Sequence, residues 1–270
     1  MGHDPAGDIA VMHLEQIHTR LVIRLGAAGG QVIETPELVS ACVPGAPVFY
    51  NQVARARFDA PGARRRVAEA LAPFRAAGQR LIWCLPPSSA PDDLGMLLEA
   101  EGLRLALGES QGMVVPRAEL RMPDMSLELA VEPTRDAASL STWVNVFADG
   151  FGVPADFRET FVAQTLALEL KVGIDSADYR RYLALVGDEA VAVCATYVAE
   201  RTVGVFRVTT LENWRRRGIA RRLVWHAVRE SRGCELAVLR CDNSLVPVYA
   251  GLGFRRVCDM PQYFAPLGWA

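Results

Sequence analysis

The stretch ENWRRRGIARRLVWHAV, Glu212 to Val228, decides how the rest of the chain is read. Ala220, Leu223, Val224, Ala227 and Val228 are spaced as one buried face of a helix. Gly218 stands just before that pattern, so the helix begins there. Arg215, Arg216, Arg217, Arg221 and Arg222 crowd the start. A helix N-terminus already exposes unpaired N–H groups and roughly half a positive charge, so each added cation costs about 0.3–1 kcal/mol. The crowd implies an anion. Upstream, FRVTTL (206–211) has the apolar and β-branched character of a strand. A strand, a turn of small residues and an exposed helix start form a recurrent phosphate cradle. The implied anion is a polyphosphate, with the arginines as mobile countercharge.

Composition bounds the alternatives. The chain has 270 residues, 51% hydrophobic and 22% charged, with a net charge of −2. That length suits one large or two ordinary domains of a soluble globular protein. A nucleic-acid-binding domain is usually strongly basic, and this chain is not, so no nucleic-acid partner is expected. Lys171 is the only lysine, and no glycine turn precedes it, which excludes a P-loop. The six cysteines (Cys42, Cys84, Cys194, Cys234, Cys241 and Cys258) form no C-x-x-C pair and lie mostly in apolar stretches, as buried reduced thiols do. The opening MGHDPAGDIA lacks the apolar core of a signal peptide, and no run approaches the ~18 apolar residues of a membrane span. A cytoplasmic protein with no membrane partner is expected. No feature predicts an oligomer.

An order of elements recurs. PGARRRVAEALAPFRAAG (61–78) is a helix closed by Gly78, RLIWCL a strand, APDDLGMLLEAEG a helix closed by Gly102, and LRLAL a strand. RGIARRLVWHAVRESRG (217–233) is a helix closed by Gly233, ELAVLR a strand, SLVPVYAGLG a helix closed by Gly253, and FRRVC a strand. This is a two-fold internal repeat, weak in identity and consistent in pattern. The proline-containing VPRAELRMPDM (115–125) separates the halves, which sets domains at 1–120 and 121–270. A further helix is expected over 9–25. The second half opens with a strand at LELAVEP and helices over 136–147 and 155–170. Three strands follow, YRRYLALVG, EAVAVCATYVAE and RTVGVFRVTTL, the first two joined by a turn at GDE (187–189). Consecutive hairpin strands, then helix, strand, helix and strand, make an α/β fold with a mixed, mostly antiparallel sheet and helices on both faces.

In this context RRRGIA resembles the R/Q-x-x-G-x-G/A signature of the GNAT superfamily of N-acetyltransferases, with Arg215, Gly218 and Ala220 at its defining positions. VYAGLGF (248–254), one strand later, resembles the tyrosine-containing helix that ends in Leu-Gly-Phe in that family. The resemblance implies that the main-chain N–H groups of Arg216, Arg217, Gly218, Ile219 and Ala220 bind the pyrophosphate of acetyl-CoA. It implies that Val208 and Thr209 offer main chain to the pantetheine arm and acetyl carbonyl, and that Tyr249 protonates the leaving thiolate. Many members carry an asparagine seven residues before the tyrosine; Asp242 stands there and Asn243 follows, which makes Asn243 the candidate for that pantetheine contact. The implied reaction is direct attack of a primary amine, on a small molecule or a protein, on the thioester. Glu212, Glu200 and Asp149 are candidate general bases, beside water or a main-chain carbonyl, and FADGFGVP (147–154) is expected to help form the acceptor site. FYNQVARARF and LIWCLPPSSAPDDLGMLLEAEGL make the first half resemble the degenerate amino-terminal GNAT-like domain of tandem members. At its cradle position, DAPGAR, Asp59 stands where the arginine belongs and repels pyrophosphate.

Other readings remain beside this one. A non-catalytic acyl-CoA-binding regulator would keep the cradle and lose the chemistry. GESQG (108–112) matches G-x-S-x-G, but extended sequence follows it where a nucleophile elbow needs a helix. His13 and His18 are five apart and do not share a helix face, so no metal site is expected.

Overall fold

The chain begins with a long helix, α1 (Pro5–Gly26), which buries Leu14, Ile17, Leu21, Val22 and Leu25 and leaves Ile9 and Met12 exposed. The computed structural model describes residues 5–106 and 110–269. Two units divide it, Met1–Gly112 with Cys258–Ala270, and Met113–Val257.

The first unit continues through β1 (Gln31–Glu34), β2 (Leu38–Cys42), β3 (Gln52–Ala56), α2 (Ala63–Ala76), β4 (Ile82–Cys84), α3 (Leu94–Ala100) and β5 (Arg104–Leu105), and it gains β13 (Gln262–Phe264) from late in the chain. Its sheet runs β1-β2-β3-β4-β13-β5. β3 and β4 are parallel and the other neighbours antiparallel. Val67, Leu71 and Phe74 of α2 pack with Trp83, Leu94, Leu98 and Tyr263 as its core. Residues 107–109 lie outside the described residues, and with them the end of the LRLAL strand and the first two positions of GESQG.

The second sheet contains β6 (Ser110–Pro116) and β7 (Ala130–Pro133). After α4 (Ala137–Gly150) and α5 (Ala155–Val172) come β8 (Tyr179–Val186), β9 (Glu189–Ala199) and β10 (Thr202–Thr210). Then follow α6 (Ile219–Glu230), β11 (Leu236–Asp242), α7 (Val246–Ala250) and β12 (Arg255–Asp259). The order is β12-β6-β11-β10-β9-β8-β7. Asp136 caps α4, accepting from the Ser139 N–H at 2.8 Å while the Asp136 N–H donates to Ser139 Oγ at 3.1 Å. Trp143 of α4 donates from Nε1 to the Cys194 carbonyl of β9 at 3.0 Å. Ile219, Leu223 and Ala227 of α6 cluster with Ala192 and Cys194, as the helical spacing requires.

The internal repeat is real in three dimensions. In each sheet a strand, a helix and a parallel strand follow one another, β3–α2–β4 and β10–α6–β11. Gly78, Gly102, Gly233 and Gly253 all have positive φ at the ends of the repeated helices. The domain boundary needs correction. β13 stands between β4 and β5, and β6 stands between β11 and β12. Each sheet is therefore completed by a strand from the other half of the sequence. A cut at 120/121 follows chain order and not the folded units. Among the described residues all six cysteines are free thiols, and five of them are buried. No described helix is long and apolar enough to cross a membrane.

Candidate active site

β10 pairs with β11 only from Thr202↔Leu236 to Val205↔Leu239, although β10 runs on to Thr210 and β11 to Asp242. Past Val205 the two strands part. Facing β9, the register passes from Phe206↔Ala195 to Thr209↔Val193, so Arg207 and Val208 together oppose Cys194. That is a β-bulge, and Arg207 adopts φ 55 within it. Where the strands part lies a cavity of about 660 Å³, a size that suits a small-molecule site. Val208, Thr209 and Thr210 line it from the strand, Arg215, Arg216, Gly218, Ile219, Ala220 and Arg221 from the helix start, and Pro247, Val248 and Tyr249 from α7.

At the helix start Gly218 adopts φ 82 and Arg216 φ 64. Space is no obstacle to a side chain at Gly218, since a Cβ there meets nothing nearer than Arg221 Nη2 at 3.7 Å. The left-handed backbone is what demands glycine. Among the described residues, the N–H groups from Arg216 to Arg221 make no main-chain hydrogen bond. They are the orphan donors of a helix start gathered in one turn, with two arginine side chains beside them. The corresponding turn of the first unit differs in shape as well as charge. Ala60–Gly62 is a short 3-10 turn and Gly62 has φ −104, so no left-handed cradle forms behind Asp59.

The five arginines divide by task, which corrects their treatment as one mobile countercharge. Arg215 holds the Thr210 carbonyl through Nε at 3.1 Å and the Gly150 carbonyl through Nη2 at 2.9 Å, which ties the end of α4 to the end of β10. Arg217 stacks 4.7 Å from the Trp214 ring and bonds the Asn213 carbonyl at 3.1 Å. Arg222 stacks 4.9 Å from the Trp225 ring. Among the described residues, Arg216 and Arg221 remain as the cations that line the cavity without such a bond or stack. Arg217 and Asn243, both candidates from the sequence, lie outside the lining.

Tyr249 is 6% exposed and sits edge-on to Phe254 with ring centroids 6.2 Å apart. Burial pushes its phenol pKa well up, and Cys241, Cys194 and Asp242 push the same way. Its hydroxyl is therefore held in the protonated form. The candidate bases fare differently. Asp149 is held by Arg158 at 2.6 and 2.9 Å, Glu200 occupies the turn after β9, and Glu212 is exposed beside the cavity. None of the three is among the lining residues, which include neither a carboxylate nor a histidine. Ser110, the G-x-S-x-G serine, begins the strand β6, so strand and not helix follows it directly. Among the described residues, no group of three His, Cys, Asp or Glu side chains is placed to hold a metal ion.

One cluster escaped the reading of the sequence. Glu169 of α5 is fully buried, receives Arg181 Nε at 2.6 Å, and also accepts from Arg207. Arg207 Nη1 donates to the Tyr179 hydroxyl at 2.8 Å, and burial pushes that phenol up to about 12. The visible signal was an arginine inside the apolar strand segment VGVFRVTTL and a glutamate inside LALELKV.

Residues 148–254 match the model of the acetyltransferase (GNAT) family, a segment that holds every residue lining the cavity. That segment is an acetyltransferase domain of the GNAT family. Solved structures extend the likeness to both units. A GCN5-related N-acetyltransferase from Kribbella flavida is 19% identical over 93% of this chain and 96% of its own, with a TM-score of 0.66. A functionally unknown conserved protein from Staphylococcus epidermidis is 12% identical over 87% and 93%, at 0.64. A tandem GNAT protein from the clavulanic acid biosynthesis pathway is 14% identical over 84% and 78%, at 0.52. Likeness at such identities concerns fold: two mixed sheets flanked by helices, matching two GNAT-like domains. A comparison with curated proteins gives no match.

Proposed function

We propose that the second unit transfers acetyl from acetyl-CoA to a primary amine by direct attack. The observation that carries this reading is the left-handed turn at Arg216–Gly218, whose unpaired N–H groups open into a cavity that reaches Tyr249. Gly218, Ile219 and Ala220 would hold the pyrophosphate with Arg216 and Arg221 beside it, and the edge of β10 at Val208 and Thr209 would receive the pantetheine arm. The amine nitrogen attacks the carbonyl carbon, the C–N bond forms, and the C–S bond breaks. The thiolate takes a proton from the Tyr249 phenol, which regains one from water. The attacking nitrogen gives its own proton to solvent, since the lining offers no carboxylate. The acceptor is a small molecule or a protein amine.

Turnover tests the reading. Release of CoA thiol with a panel of primary amines, abolished or much reduced in Tyr249→Phe, is the expected result. Tight acetyl-CoA binding with no turnover for any amine, and no effect of Tyr249→Phe, would instead favour a non-catalytic acyl-CoA-binding regulator.

A further inference from the structure

The bulge in β10 has an unfavourable backbone conformation at Arg207, whose side chain enters a buried charge cluster. Arg207 has φ 55, a region that non-glycine residues rarely occupy. Its guanidinium lies 5.9 Å from the Trp143 ring centroid and 5.7 Å from that of Phe147, and donates to Glu169 and to Tyr179. Glu169 is anchored independently, because Arg181, fully buried, bonds both its carboxylate and its main-chain carbonyl. The clamp therefore joins a fixed point on α5 to the one residue of β10 whose backbone is left-handed.

The position of that clamp gives it a consequence for the cavity. A bulge inserts one residue, and a shift of one residue exchanges the edge of the strand that each later residue's N–H and C=O address. Val208, Thr209 and Thr210 follow Arg207 directly and all line the cavity. Without the bulge, the strand edge that faces the cavity would carry the alternate set of groups.

We propose that Arg207 is a positioning residue for the acyl donor: tied to Glu169 and Tyr179, it holds the β10 bulge that sets Val208 and Thr209 in the cavity wall. The part that concerns acetyl-CoA rests on the function proposed above; the part that concerns the bulge does not. Glycine separates a backbone role from a charge role. Arg207→Ala keeps the left-handed penalty and loses the clamp, whereas Arg207→Gly loses the clamp together with the penalty. Both leave Glu169 paired with Arg181.

Two measurements are made on the full chain: NMR amide and Cα shifts of Val208 and Thr209 without ligand, and the acetyl-CoA Kd by titration calorimetry. In Arg207→Ala the shifts should move and Kd should rise about tenfold, the factor that a left-handed alanine forfeits. In Arg207→Gly the shifts and most of the affinity should return. Shifts unchanged in Arg207→Ala, or displaced as far in Arg207→Gly as in Arg207→Ala, would overturn the proposal. Loss of fold in both variants would also overturn it, since Arg207 would then be a support of the core. Wild type that fails to bind acetyl-CoA would sink the proposed function, and the ligand-free shifts would still decide the bulge.

Discussion

Burial holds the Tyr249 phenol in its protonated form, as the proposed proton donor to the leaving thiolate requires. Burial raises its pKa above the ordinary value near 10, so its protonated form persists across the whole range in which an amine becomes free. The pH profile should then have a single rising limb that follows the pKa of the acceptor amine, with no falling limb below about pH 10. A falling limb near pH 8, absent in Tyr249→Phe, would contradict this assignment. Tyr249→Phe keeps the ring against Phe254 and should lower kcat by about 10²-fold with the KM for acetyl-CoA unchanged. At this scale the sequence disclosed Gly218, whose left-handed backbone forces its type, and it set Tyr249 one strand after the turn, where it lines the cavity. Arg207 and Glu169 stayed hidden because a lone charge in an apolar stretch reads equally well as a surface residue. Their pairing joins positions 38 residues apart, which periodicity does not register.

Between elements, the contact that shapes the cavity most closely joins the end of α4 to β10. A Cβ on Gly150 would lie 2.4 Å from Thr209 Oγ1, 2.8 Å from its Cγ2 and 3.2 Å from its Cβ. Thr209 is β-branched with restricted rotamers, and Arg215 fixes both the Gly150 and Thr210 carbonyls, so neither side yields easily. Gly150→Ala should cost about 1–3 kcal/mol of stability in urea unfolding and weaken acetyl-CoA binding together. Unchanged stability and unchanged affinity would show that α4 does not constrain the wall. Elements with a strong period or clear closing glycines were legible, as α2, α6 and β8 to β10 show. β1, β2, β3 and β13 were not. β2 is buried throughout and so shows no alternation, and β13 has three residues, too few to display a period.

For the whole molecule, the repeat was legible and the exchange of closing strands was not, because pairing across the chain leaves no local pattern. Residues 1–120 made alone would lack β13, and residues 121–270 would lack β6. Neither piece should give a cooperative melt by itself, while the two produced together should recover one. A cooperative melt from 121–270 alone would contradict the sheet order. The arginine-rich turn is the proposed acetyl-CoA cradle, and thermal unfolding with and without acetyl-CoA, in wild type and in Gly218→Glu, tests that assignment. Ligand at about a hundred times its Kd adds ~2.7 kcal/mol to the unit that binds it, enough for a resolvable rise in Tm. Gly218→Glu forces a side chain into a left-handed position and sets an acid among the N–H donors, so its own Tm should not respond. A rise in wild type that vanishes in the variant is the predicted result. An equal rise in both, or none in either at millimolar acetyl-CoA, would show that the turn does not hold acetyl-CoA.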